Sequence, residues 1–258
     1  MLKKAFEGEF TKGLRLSLNL PKIEKLTLEQ ITLPKIGLRR GPFGSAIKKS
    51  FFVSEGYKVY EQGNAINDDP YRGHYYISEE KYLELKNFEV IPADLLVSCS
   101  GVTLGRIVKM PGDIEKGIIN QALLRIRLRR DLINSRYFVH LFRSAEFQKT
   151  IFAKSQGSAM PNLVGIKEFK LIPLNVPSLA EQQAIVQEIE TRLSVCDKIE
   201  QDIKENLEKA EALRQSILKK AFEGKLLNER ELAEVRGAAD WEPAEVLLER
   251  IMAERARK

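Results

Sequence analysis

The residues that most nearly spell a reaction are Asp68-Asp69-Pro70-Tyr71. They approach the Asn/Asp-Pro-Pro-Tyr/Phe signature of methyl transfer, yet the second proline is missing and no Gly-x-Gly turn between strand and helix accompanies them. Metal-assisted phosphodiester cleavage needs clustered carboxylates with a lysine. The nearest group, Glu84-Leu85-Lys86, falls in a helix-like run from Glu79 to Lys86 that reads as a solvated face. No Walker-type phosphate loop is present, and His74 and His140 are isolated from any nucleophile pattern. Cys99 sits in a strand-like run and Cys196 in a helical one, so neither a disulfide nor a zinc site is expected. The sequence therefore predicts no catalytic residue, no metal ligand and no cofactor for the chain by itself. A methyltransferase or nuclease with an unrecognised site stays open as an alternative.

Binding chemistry is better represented. Residues 30–54 carry Lys35, Arg39, Arg40, Lys48 and Lys49 with no acidic residue, and Gly37, Gly41 and Gly44 permit close backbone approach. Such a loop suits a phosphate backbone. In Leu124-Arg125-Ile126-Arg127-Leu128-Arg129 the arginines share one strand face, either solvated or in contact with nucleic acid. The loops 98–106 and 155–162 supply Ser100, Thr103, Arg106, Gln156, Ser158 and Asn162, small polar groups that read base edges or simply form turns. Gln62, Asn64, Tyr71, Arg72, His74 and Gln121 complete the candidate contact set.

Charge divides unevenly along the chain. Residues 1–177 hold 28 Lys/Arg against 18 Asp/Glu, residues 178–224 hold 7 against 10, and the remainder 7 against 8. The excess of positive charge belongs to the first part, as expected where one domain meets nucleic acid; a merely basic domain is the plainer reading. No apolar run approaches the roughly 20 residues of a membrane span, and no signal region follows Met1, so the cytoplasm is the expected location.

The elements that must position these residues are of two kinds. Residues 9–177 read as a mostly β globular domain, with strands expected at 58–60, 88–91, 95–99, 105–109, 122–128 and 169–173 and helix over 135–152. From Ser178, which opens a Ser-x-x-Glu capping box with Glu181, a helix is expected to run to Gly224. Its apolar stripe contains Ile185, Ile189, Leu193, Ile199, Ile203, Leu207, Leu213 and Ile217 on one face. That stripe predicts a partner, most simply an antiparallel helix from another domain or a second chain. Residues 225–258 read as a linker followed by a short amphipathic helix behind Pro243. The heptapeptide Leu-Lys-Lys-Ala-Phe-Glu-Gly occurs at 2–8 and again at 218–224, which marks one period of a repeated architecture and makes residues 1–8 the end of a preceding helix.

These features together resemble the specificity (S) subunits of type I restriction-modification systems. The resemblance rests on Gly41 to Ser50, Val59 to Ile66, Asp94 to Gly101, Gly105-Arg106-Ile107, Ile119 to Leu123, the junction Pro177 to Gln183, Leu218 to Leu226 and Val246 to Ala256. It implies an α+β chain: a mixed, mostly β target recognition domain followed by a long spacer helix. Such a chain reads part of a bipartite site in double-stranded DNA and docks methyltransferase (M) and restriction (R) subunits without being catalytic itself. Family members usually carry two recognition domains and two helices. With one of each, this chain is expected to be a half-subunit or half of a longer protein, pairing as a homodimer through antiparallel helices. A helical scaffold whose β domain binds protein remains the other alternative.

Overall fold

A computed structural model describes residues 5–43, 46–99, 101, 103–152, 163 and 165–256. A compact unit runs through Leu193, and residues from Ser194 onward form a second. In the first, a short helix α1 (Lys12–Leu18) precedes β1 (Glu24–Thr27), which pairs antiparallel with β11 (Pro173–Val176). A four-stranded sheet has the order β2 (Leu38–Arg40), β10 (Leu123–Ile126), β7 (Leu95–Ser98), β8 (Ile107–Lys109). A five-stranded sheet has the order β3 (Phe52–Val53), β5 (Tyr76–Ile77), β4 (Tyr57–Tyr60), β9 (Gly117–Ile119), β6 (Glu89–Val90). Between strands lie α2 (Gln62–Ile66) and α3 (Glu79–Glu84); after β10 come α4 (Ser135–Phe142), α5 (Ala145–Phe152) and α6 (Ile166–Lys170).

Alternation along the strands builds the layers. Leu95, Val97, Leu124 and Ile126 face a core completed by Phe138, Phe142, Ile185, Val186 and Ile189. Leu96, Val108 and Leu123 face the other way, onto Tyr60 and Ile119 of the five-stranded sheet. The far side of that sheet packs Val59, Ile77 and Ile118 against Tyr82 and Leu85.

Two of the three stripe arginines, Arg125 and Arg127, turn into the domain, while Arg129 stays at the surface and pairs with Asp131 at 2.7 Å. Arg125 is 1% exposed and donates to the carbonyls of Glu89 and Ile36, the latter at 3.2 Å. Arg127 grips Asp94 with two bonds, of 2.8 and 3.1 Å, and donates to the Glu89 carbonyl at 2.9 Å. Since Glu89 is in β6 and both arginines issue from β10 or its end, these cations join the two sheets. Burial and the neighbouring Arg127 push the Arg125 guanidinium down to about 10, still well above neutrality.

The long helix, α7 (Leu179–Phe222), starts where the capping pattern predicts, but only half of the box forms. Ser178 Oγ accepts from the Glu181 amide at 3.4 Å. The Glu181 carboxylate, fully buried, turns inward to accept from Thr11 Oγ1 at 2.7 Å and from Arg15. Gln182 beside it accepts from the Asn134 amide and donates to Leu132 and Pro177 carbonyls. Ile185 and Ile189, at 2% and 0% exposure, belong to the domain's own core, so neither is available to a partner helix. Leu193, Ile199, Ile203, Leu207, Leu213 and Ile217 are 39–70% exposed.

Two expected elements differ. Phe169 lies in α6 and not in a strand, and the strand begins at Pro173, a position where the missing N–H is tolerated. Within the expected linker stands a helix, α8 (Glu229–Arg236), whose Asn228 and Glu231 form a complete capping box. The last helix, α9 (Ala244–Ala256), follows Pro243 as expected. No helix among the described residues is long and apolar enough to cross a membrane.

Replacing Arg125 by Met strips charged donors from the buried Glu89 and Ile36 carbonyls. It is expected to lower stability by roughly 2–4 kcal/mol, read as a reduced urea midpoint with an unchanged m value.

Candidate nucleic-acid interface

Strands β4 and β9 run parallel in the register Lys58↔Gly117 to Tyr60↔Ile119, and the Asn120 amide extends the ladder to the Tyr60 carbonyl at 2.9 Å. Glu61-Gln62 and Asn120-Gln121 therefore leave the sheet side by side. In the four-stranded sheet the Gly41 amide donates to Leu123 at 2.9 Å and the Cys99 amide to Ala122 at 2.8 Å. A Cβ at Gly41 would stand 1.8 Å from the Asn120 carbonyl oxygen, so only glycine lets that segment cross. The ends of both sheets thus meet at one rim, formed by residues 40–43, 60–63, 99, 101, 103–106 and 119–122.

Seven candidates gather there. Gln62 Nε2 donates to Thr103 Oγ1 at 3.4 Å. The exposed Gln121 follows β9, and exposed Arg106 is tied to the end of β7 by its amide bond to Ser98 Oγ at 2.9 Å. Arg72 lies along Gly63, where a Cβ would meet its Nε at 3.2 Å. Arg40 ends β2 half-buried, with an Nε atom that is buried and has no hydrogen-bond partner. His74 is exposed, its ring 4.8 Å from Tyr75, whose carbonyl accepts from Val59 in β4.

Other candidates are placed elsewhere. Asn64 is 1% exposed; its Oδ1 accepts from the Glu61 amide and its Nδ2 donates to the Asp69 and Arg72 carbonyls. It positions the Arg72 loop and contacts nothing outside. Arg39 is a strand residue facing Arg125 across the β2–β10 pair, not a loop cation. Lys48 and Lys49 are exposed but precede β3, whose Phe52 pairs with Ile77 at the end of the sheet away from Tyr60. Tyr71 turns its hydroxyl to Asp113 at 2.7 Å, also away from the rim. Ser100, Gln156, Ser158 and Asn162 lie outside the described residues.

A basic group that the motifs did not reveal continues from the rim. Thr103, Arg106, Arg143, Gln148 and Asp68 line a cleft of about 520 Å³, and Lys109, Arg136, His140 and Arg143 line a neighbouring one of about 250 Å³ with Asp68 and Glu190. Arg143 pairs with Asp68 at 2.8 Å and Arg136 with Glu190 at 3.3 Å. The signal was available: Arg136, His140 and Arg143 recur at helical spacing, opposite the aromatic face of α4. Burial pushes Lys109 down, helped by Arg136 and Arg130. Burial likewise holds His140 below its usual value, with Arg143 and Arg136 acting in the same sense and Glu190 opposing.

Amides, a hydroxyl and cations thus stand together at the rim of a basic two-sheet domain whose last element is the start of a long helix. A family model for the type I restriction modification DNA specificity domain matches residues 43–209. The EcoBI specificity subunit of the type I restriction enzyme from Escherichia coli is 32% identical over 180 residues, covering 70% of this chain and 37% of that protein. The StySPI specificity subunit from Salmonella potsdam is 31% identical over 180 residues, covering 69% and 38%. Among solved structures, the HsdS subunit from Thermoanaerobacter tengcongensis shares the fold with a TM-score of 0.57 at 16% identity, covering 87% of this chain and 52% of that one. A chain from a type I R-M system matches with a TM-score of 0.59, also at 16% identity, covering 87% and 53%. The chain belongs to the type I restriction-modification specificity family. It spans less than two-fifths of the length of the curated relatives it matches.

His140 supplies a pH test. Its folded pKa lies below the ordinary value near 6.5, so the neutral form is favoured in the fold, and stability is lost as pH falls below about 6.5. His140→Gln is expected to shrink the fall in urea midpoint between pH 7.5 and pH 5.5. An equal fall in both proteins assigns that loss to other groups.

Proposed function

We propose that this chain is a sequence-specific DNA-binding subunit that reads one half of a bipartite duplex site and does no chemistry itself. The observation that carries this reading is the rim, where Gln62, Thr103, Arg106 and Gln121 come together from three separate segments at the shared end of two sheets. Amide side chains there suit adenine edges and arginine suits guanine. The cations along Lys109, Arg136 and Arg143, with Lys48 and Lys49 adding to the field, suit flanking phosphates. The specificity subunits it resembles belong to type I restriction enzymes, and by that kinship its long helix serves as the platform for methyltransferase and restriction subunits.

The exposed stripe from Leu193 to Ile217 supports a second element of the reading. An antiparallel partner helix, most simply from a second copy, covers it. Two identical domains related by a twofold axis then read an inverted repeat with a fixed spacer.

Selection from a random duplex pool tests this directly. An enriched inverted repeat is expected, and Gln121→Ala is expected to relax preference at one position of each half by about 1–3 kcal/mol. Lys48→Ala and Lys49→Ala are expected to weaken binding to all duplexes and to reduce its salt dependence, leaving the selected sequence unchanged. Failure to enrich any sequence favours a protein-binding scaffold, whereas methylation or cleavage by the isolated chain favours an enzyme.

A further inference from the structure

Four segments of the chain converge on the cleft of about 250 Å³ that continues the rim. Lys109 enters it from β8, the edge strand of the four-stranded sheet. Ile107 and Val108 face opposite cores, so alternation along β8 sends Lys109 to the side of α4. Arg136 and His140 reach the cleft from α4, whose C-cap is Arg143. Asp68 follows the end of α2, and Glu190 comes from α7.

Both arginines are already held. Arg143 pairs with Asp68 at 2.8 Å and donates to the Ile107 carbonyl at 2.9 Å, while Arg136 faces Glu190 at 3.3 Å. His140 stands 4.0 Å from the same carboxylate. The Lys109 ammonium makes no ion pair and no hydrogen bond among the described residues. Apart from His140, three cations thus face two carboxylates, Asp68 and Glu190, and the one positive charge in excess sits on a half-buried lysine. The downward push on Lys109 from burial, Arg136 and Arg130 is the response of a cation short of counter-charge.

A phosphodiester carries a single negative charge and accepts from an ammonium and a guanidinium together. The pair it would have to open is weakly held, since the side chains of Arg143 and Asp68 are 40% and 57% exposed. An arbitrary duplex held loosely meets arginines whose charge is already neutralised, which adds little to the attracting field. A duplex drawn against the rim by matched base contacts brings a phosphate to the recessed lysine, and that phosphate can then take the arginines over.

We propose that the Lys109 cleft seats one backbone phosphate of the matched duplex, and that Asp68 and Glu190 are counter-charges that withhold Arg143 and Arg136 from unmatched DNA. The inference rests on the DNA-reading function proposed above. By it, two carboxylates determine specificity without touching a base, because they lower affinity for arbitrary sequence more than for the target.

The test measures binding of the full chain to the selected duplex and to an unrelated one of equal length, by fluorescence anisotropy over a range of salt. Asp68→Asn preserves the side-chain shape at a position whose φ of 53° asparagine tolerates. It is expected to tighten binding to the unrelated duplex about fivefold and to the selected one less than about twofold, with a salt slope on the unrelated duplex steeper by about one. Adding Arg143→Gln is expected to cancel that gain, and Glu190→Gln to act in the same direction as Asp68→Asn through Arg136. Lys109→Gln is expected to weaken binding to the selected duplex about tenfold and to the unrelated one less than about twofold. No gain with Asp68→Asn, an equal gain on both duplexes, a gain that survives Arg143→Gln, or an equal loss on both with Lys109→Gln overturns the inference and leaves the DNA reading standing. An unaltered chain that prefers no duplex overturns that reading, and the inference falls with it.

Discussion

The buried contact between Arg125, Arg127 and the Glu89 carbonyl holds the two sheets of the domain in register with one another. Both guanidiniums come from β10 and its continuation, and Glu89 opens β6 of the other sheet. Asp94 supplies the balancing charge, gripping Arg127 through both oxygens. A cation buried this way requires several acceptors, and the acceptors here are main-chain carbonyls and a carboxylate that fix the sheet edge. The rim follows from that constraint. Gln62 and Gln121 leave one sheet while Thr103 and Arg106 leave the other, and Gln62 reaches Thr103 only because the sheets are joined.

At the base of the domain a second buried charge fixes the helix. Glu181 turns away from its own cap to meet Thr11 and Arg15, which ties the amino-terminal segment to the root of α7. One apolar stripe then serves two surroundings: Ile185 and Ile189 fill the core of the domain, and from Leu193 onward the same periodicity is exposed. A single helix is in this way a wall of the domain over its first turns and the bearer of an exposed apolar stripe beyond them.

Much of this was legible in the residues themselves. The capping serine, the helical spacing from Ile185 to Ile217 and the central strands are local patterns, and local patterns determine where elements begin. What was hidden depended on long-range partners. Alternating arginines look alike whether they face water or another sheet, and only the carbonyls of residues 36 and 89, distant in sequence, bury Arg125. Asn64 reads as a recognition amide until the loop 69–72 is seen folded onto it. The helix at Glu229–Arg236 holds only Leu232, Ala233 and Val235 as apolar residues, too few for a periodic stripe, although the Asn-x-x-Glu cap marks its start. Arg136, His140 and Arg143 share a helix whose dominant sequence pattern is its aromatic face, which masks the basic one.

The central claim is that the shared end of the two sheets is the surface that reads DNA. Hydrogen exchange, measured by mass spectrometry on the chain with and without its selected duplex, tests this most directly. Protection is expected in the segments 40–43, 60–63, 72–75, 103–106 and 120–122, with slower exchange extending into the start of α4. Protection confined to residues 48–53 or to the tail beyond Gly224, with the rim unchanged, contradicts the account.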